Sequence, residues 1–141
     1  MEDSAAVMPN RAVMITGRVL FTLIFFLSGI AHFTQMKAFV SLMPAAIPAR
    51  EFWVIISAFV ELAGATMIVT GKYVKAGAWL IALFLVPVTL TVHGVGMLTE
   101  KDPIMQGVQT SMFLKGLAML GAALLFTQFA PVAADSARSA P

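Results

Sequence analysis

Four apolar stretches, each about 20 residues long, constrain this chain more than any other feature of its sequence. A helix needs about 20 mostly apolar residues to cross the hydrocarbon core of a bilayer. Hydrophobic residues make up 60% of the 141 residues and charged residues only 11%, whereas soluble domains carry about 25% charge. The chain is therefore an integral membrane protein rather than a soluble enzyme. The predicted spans are residues 13–33, 52–70, 74–98 and 108–129.

Proline and glycine residues mark the connections between these spans. Pro44 and Pro48 lie in the first connection, Gly71 in the second and Pro103 in the third. This pattern predicts an all-α, up-down-up-down bundle of four transmembrane helices. The predicted organisation is a flexible tail at residues 1–12, the transmembrane domain at 13–130 and a second flexible tail at 131–141.

The distribution of Lys and Arg predicts the orientation, because these residues are enriched in cytoplasmic loops. Five lie on the side that holds both termini and three on the opposite side. We therefore expect both termini in the cytoplasm and a multi-pass protein of the plasma (inner) membrane. The five are Arg11, Arg18, Lys72, Lys75 and Arg138; the three are Lys37, Arg50 and Lys101.

Pro87 interrupts the third span. Its ring removes one backbone donor and leaves the carbonyl of Leu83 without its helical partner. A kink is therefore expected at this point of the helix.

Charge and cysteine content exclude several kinds of site. The pI near 9.3 reflects a net charge of only +2 with no basic run, so we expect no nucleic-acid partner. The absence of cysteine excludes thiolate zinc sites, iron–sulfur clusters, covalent c-type haem and disulfide exchange. No metal site and no catalytic motif is evident.

Ionisable residues inside the spans are the candidate site residues, because a charge near the bilayer centre costs about 2.5–3.5 kcal/mol. They are Glu61, Lys115, His93 and His32. With the predicted orientation, all four lie in the outer half of the bundle, beside small or hydroxylated neighbours. We expect them to form one polar pocket, or Glu61 and Lys115 to form an ion pair that only fixes helix register. Arg18 lies apart, where its side chain is expected to reach the cytoplasmic headgroups.

The ordered set of these residues resembles the DoxX family of four-helix membrane proteins, over residues 18–126. The residues that carry the resemblance are Arg18, Phe25-Phe26-Leu27-Ser28-Gly29, His32-Phe33, Glu61-Leu62-Ala63-Gly64, Gly71, Lys75, His93, Lys115-Gly116-Leu117 and Gly121. The family takes its name from a small subunit of an archaeal thiosulfate:quinone oxidoreductase, and other members are described as membrane partners of redox-defence proteins. The resemblance thus implies a small membrane subunit of a quinone-linked redox complex.

In that reading, His93, Lys115 and Glu61 would bind a quinone head group and protonate it. The chain has no motif for electron delivery, so it would be at most a subunit of an enzyme and would need a soluble redox partner. The alternatives are a small proton-coupled transporter that uses Glu61 and a non-catalytic membrane scaffold. A homo-oligomer is compatible with each of them. A b-type haem held by His32 and His93 is the least favoured alternative.

Overall fold

The computed structural model describes residues 10–128, and the regular elements of this part of the chain are all helical. Four helical stretches are long and apolar enough to cross a membrane, which confirms the predicted all-α, four-span fold. Residues 1–9 and 129–141 lie outside the described part, as do most of both predicted tails. The helices are α1 (Arg11–Thr34), α2 (Met36–Leu42), α3 (Arg50–Thr70), α4 (Val74–Pro87), a π-helical segment (Val88–Gly94), α5 (Val95–Thr99) and α6 (Pro103–Phe126).

Side-chain caps set the beginning of the first and last spans. The Asn10 side chain accepts hydrogen bonds from the first turn of α1. At α6, Oδ1 of Asp102 accepts a hydrogen bond of 2.8 Å from the backbone N–H of Met105, and Pro103 occupies the first helical position. This combination favours helix initiation. The fourth span therefore begins five residues before the predicted residue 108.

The helices pack in the order α1, α3, α4 and α6, and the π-helical segment also packs against α6. Glycines permit the closest approach, between α3 and α4: a Cβ atom on Gly77 would lie 2.7 Å from the carbonyl oxygen of Gly64. Close backbone contact through small residues is the usual way in which helices associate in membranes. The core between the helices includes Phe25, Ala65, Ile68, Ala78, Ile81, Ala82, Leu85 and Ala123.

The third span changes its winding at Pro87, where the sequence predicts a kink. The α-helix ends at this proline and seven π-helical residues, Val88–Gly94, follow it. A π-helical turn adds a residue to the turn and changes which side chains face a neighbouring helix. Thr89 and Val92 of this segment are buried as a result.

The connection between the first two spans contains a short helix that the sequence interpretation treated as loop. This helix, α2, contacts both α1 and α3. Nη1 of Arg50 donates to the carbonyl oxygens of Val40 and Met43 at 3.4 Å each. Arg50 therefore ties the end of α2 to the beginning of α3.

Candidate functional site

His32 of α1 and Glu61 of α3 form a buried acid–imidazole pair. Nε2 of His32 lies 3.9 Å from Oε1 of Glu61, and the two side chains are 8% and 1% exposed. Each belongs to the inward face of its helix, since Gly29, one turn before His32, lets α1 approach Ala58 and Leu62 of α3. The structure thus brings two of the four predicted ionisable residues together.

The Glu61 carboxyl group is enclosed but incompletely satisfied. Both of its oxygens are buried, and neither has a hydrogen-bond partner among residues 10–128. The Ser28 side chain faces the carboxyl group without completing a hydrogen bond to it. A buried polar group without a partner costs free energy, and such a group in a native structure calls for an explanation.

The imidazole of His32 is held in one orientation. Nδ1 of His32 lies 2.8 Å from the carbonyl oxygen of Ser28, and since a carbonyl oxygen can only accept, Nδ1 carries the proton. Nε2 therefore points toward Glu61. The ring of Phe39, in α2, stacks on the imidazole with a centroid distance of 4.0 Å. Because this ring occupies one face of the imidazole and Glu61 faces its Nε2, the site does not suit ligation of a haem iron by His32.

The depth of the pair follows from the helix lengths. Glu61 lies eleven residues after the start of α3, which is about 16 Å at 1.5 Å per residue. This is near the middle of a span. His32 lies beside Glu61 and therefore at a similar depth, and Phe39 of α2 packs on its ring.

Lys115 does not join this pair, which corrects the expectation that it meets Glu61 in one cavity or ion pair. No ion pair connects the two residues, and Lys115 is exposed on α6. The buried residues of this helix are Gln109, Gly116 and Ala123. Gly116 faces the bundle, and Lys115, about 100° around the helix from it, lies on the exposed surface.

His93 belongs to a second polar group, between the π-helical segment and α6. Its Nδ1 lies 2.8 Å from Oε1 of Gln109. Thr89, one turn earlier, packs against Gly116, and its buried hydroxyl has no hydrogen-bond partner in the described part of the chain. His93 therefore contacts α6, whereas His32 contacts α3.

Arg18 is buried at the opposite end of the bundle, and only 9% of it is exposed. Its Nη1 lies against Gly71, in the turn between α3 and α4, where a Cβ atom would be 2.6 Å away. Gly71 has a φ of 76°, a conformation that favours glycine. The guanidinium group thus packs against the turn within the protein, instead of extending past it into lipid headgroups.

The comparison with protein families decides where the chain belongs. The DoxX family model matches residues 13–94, which is more than half of the chain. The chain belongs to the DoxX family. No curated protein and no solved structure matches it.

The segment that matches DoxX contains Arg18, His32, Glu61 and His93. Lys115 lies outside it, in the fourth span. Both members of the buried pair therefore lie in the matched segment, and the exposed lysine lies outside it.

Sequence reasoning missed Phe39 and Gln109 at these sites. Phe39 lies in the apolar run Ala38-Phe39-Val40, which follows the first span and precedes Pro44 and Pro48. This run was the sequence signal for a helix within the connection. Gln109 is one of the few amide side chains within a span, and burial of an amide in a membrane requires a partner.

A groove of ≈ 540 Å³ adjoins α2 and is lined by Met36, Lys37, Val40, Ser41, Arg50 and Glu51.

Proposed function

We propose that this integral membrane protein is a small subunit of a quinone-linked redox complex in the plasma membrane, and that His32 and Glu61 handle protons within it. One observation carries the proposal: a carboxyl group near the middle of a span is enclosed, has no hydrogen-bond partner among residues 10–128 and lies 3.9 Å from an imidazole nitrogen. Intramembrane ionisable residues with a partner are typical of proton pathways.

The pair can move a proton without a change in net charge. Because the proton on Nδ1 of His32 is committed to Ser28, Nε2 is the nitrogen that can accept a proton from Glu61. Transfer from a neutral carboxyl group to a neutral imidazole gives a carboxylate and an imidazolium, and the sum of charges stays zero. A distance of 3.9 Å is too long for a hydrogen bond, so transfer requires a small rotation of either side chain or a bridging water.

The residues present fit a quinone through its carbonyl groups, which accept hydrogen bonds and protons. If a quinone binds there, a partner protein would supply the two electrons for its reduction, His32 and Glu61 would supply one of the two protons, and water would supply the other. Lys37 and Arg50 line the groove beside α2 and would donate hydrogen bonds to a head group there. Within α2, Val40 lines the groove, while the preceding Phe39 stacks on His32.

Quinone binding by the purified protein tests this proposal. Trp53 lies in the first turn of α3, so its fluorescence, in a Trp79→Phe background, should be quenched by a short-chain quinone in nanodiscs. We expect Glu61→Gln and His32→Gln to weaken binding by about tenfold, or about 1.4 kcal/mol. Lys115→Gln is the matched control, because it also neutralises a charge within a span, and it should bind as the wild type does. Absence of quenching, with no quinone extracted from the purified protein, would refute the proposal.

A proton-coupled transporter is a second candidate, and one observation favours it. A permanent positive charge beside Glu61 would keep the carboxyl group ionised and oppose proton exchange, but Lys115 makes no ion pair with it. In vesicles with a trapped pH dye, a cation substrate should release protons in the wild type and not in Glu61→Gln. If neither inorganic nor organic cations move protons, this candidate fails.

A further inference from the structure

Lys115 lies near the middle of α6 and faces away from the rest of the protein. It is twelve residues from the start of the helix and eleven from its end, or about 18 Å and about 16 Å at 1.5 Å per residue. Its side chain is exposed and has neither an ion pair nor a hydrogen bond within residues 10–128. A lysine in lipid at this depth costs about 2.5–3.5 kcal/mol, a cost that a negatively charged partner would offset.

Small residues surround Lys115 on the same side of the helix. Gly107 and Ser111 precede it by two turns and one turn, and Ala118 follows it by one turn. All three are exposed, and a Cβ atom on Gly107 would contact nothing within 4 Å. We call these four residues, Gly107, Ser111, Lys115 and Ala118, the α6 outer face. Small residues at this spacing allow two helix backbones to approach closely in a membrane.

We propose that the α6 outer face binds a transmembrane helix of a different protein, one that carries a carboxylate near the bilayer centre. Such a carboxylate would neutralise Lys115 where the small residues permit close packing. The proposal goes beyond the redox function and holds whether or not His32 and Glu61 handle protons. It also gives the exposed charge on this helix a partner that residues 10–128 do not provide.

Two other occupants fit less well. A second copy of this chain offers no suitable acid among residues 10–128: Glu51 lies in the first turn of α3, far from the middle of the span, and Glu61 is only 1% exposed. Two copies meeting at this face would also bring two lysines together. A lipid phosphate lies at the surface of a hydrocarbon core about 30 Å thick, far from the middle of α6.

A designed helix can serve as the probe. The probe is a synthetic leucine–alanine helix of about 24 residues, roughly a full span. It has glycine at every fourth position of one face and a glutamate at its centre. A control helix, the twin, is identical except that glutamine replaces this glutamate. The chain has no cysteine, so Lys101→Cys provides a single labelling site for energy transfer in phosphatidylcholine vesicles. The wild type should bind the glutamate helix about tenfold more tightly than the twin, which equals about 1.4 kcal/mol.

Variants of the α6 outer face decide the outcome. The tighter binding of the glutamate helix should disappear in Lys115→Met and persist in Lys115→Arg. Binding by Lys115→Arg would also show that the fold tolerates a substitution at this position. Ala118→Leu should weaken binding of both helices, whereas Ala76→Leu, at an exposed alanine of α4, is the matched control and should not. An equal affinity of the wild type for both helices, or a preference that survives in Lys115→Met, would overturn the proposal. So would efficient disulfide dimerisation of Ser111→Cys in native membranes, since a second copy would then occupy this face.

Discussion

Replacing His32 with leucine should destabilise the protein more than replacing both His32 and Glu61. In His32→Leu, the Glu61 carboxyl group remains buried and loses the imidazole that lies 3.9 Å away, while neither oxygen has a hydrogen bond. Removal of one partner of a buried pair costs about 3–5 kcal/mol, but replacement of both partners by apolar residues is often neutral. We therefore expect the free energy of unfolding to fall by about 3 kcal/mol in the single variant and by less than about 1 kcal/mol in the double variant.

The separation of the two groups limits the size of this effect. The two groups attract each other most strongly once the proton has moved from Glu61 to His32, when two unit charges about 4 Å apart interact by about 4 kcal/mol at an effective dielectric constant of 20. The coupling energy of His32 and Glu61 should therefore not exceed about 4 kcal/mol. Adding Glu61→Leu to His32→Leu should stabilise the protein, although most substitutions of single buried residues destabilise.

Reversible unfolding in mixed micelles, followed by circular dichroism, measures these free energies for the wild type, both single variants and the double variant. The matched control is the cycle of Glu61→Leu with Lys115→Leu, because these two side chains form no ion pair. Its effects should add within about 0.5 kcal/mol. Additive effects in the cycle of His32 and Glu61, or coupling of Glu61 to Lys115 instead, would refute the account of the site.

Four further substitutions test the packing and one buried hydrogen bond. Gly77→Ala should lower the free energy of unfolding by about 1–3 kcal/mol, because its Cβ would lie 2.7 Å from a backbone oxygen of α3. Gly121→Ala is the control: a Cβ atom there would contact nothing within 4 Å, so this substitution should raise the free energy of unfolding by up to about 1 kcal/mol. Gly71→Ala should cost about 1–2 kcal/mol, since φ is 76° there; an unchanged melting temperature would contradict this. Gln109→Leu should cost about 1–3 kcal/mol, because Nδ1 of His93 loses its partner at 2.8 Å; thermal unfolding in detergent would detect it.

Hydropathy predicted the spans because a bilayer imposes one length and one polarity on every helix that crosses it. The third span was predicted at residues 74–98 and is helical over Val74–Thr99. The fourth was predicted to begin at residue 108 because the prediction placed Pro103 in the preceding connection. Asp102 and Pro103 were the sequence signal for the earlier start, and they act through backbone capping rather than through hydropathy.

The faces of the helices were harder to predict than their depths. Glu61 and Lys115 do lie at similar distances from the starts of α3 and α6, but only Glu61 faces the bundle. The apolar residues of α6 are spread almost evenly around the helix, so the sequence did not indicate which side is buried. The contact of His32 with Glu61 depends on the antiparallel register of α1 and α3, which close contacts such as that at Gly29 determine.

Carbodiimide labelling shows whether the enclosed Glu61 carboxyl group exchanges its proton through His32. Dicyclohexylcarbodiimide reacts with protonated carboxyl groups in apolar surroundings, and mass spectrometry locates the product. We expect that the wild type is labelled at Glu61, that labelling slows as the pH is raised, and that His32→Gln alters this pH dependence. Absence of labelling at Glu61 at every pH, or an identical pH dependence in His32→Gln, would contradict this expectation.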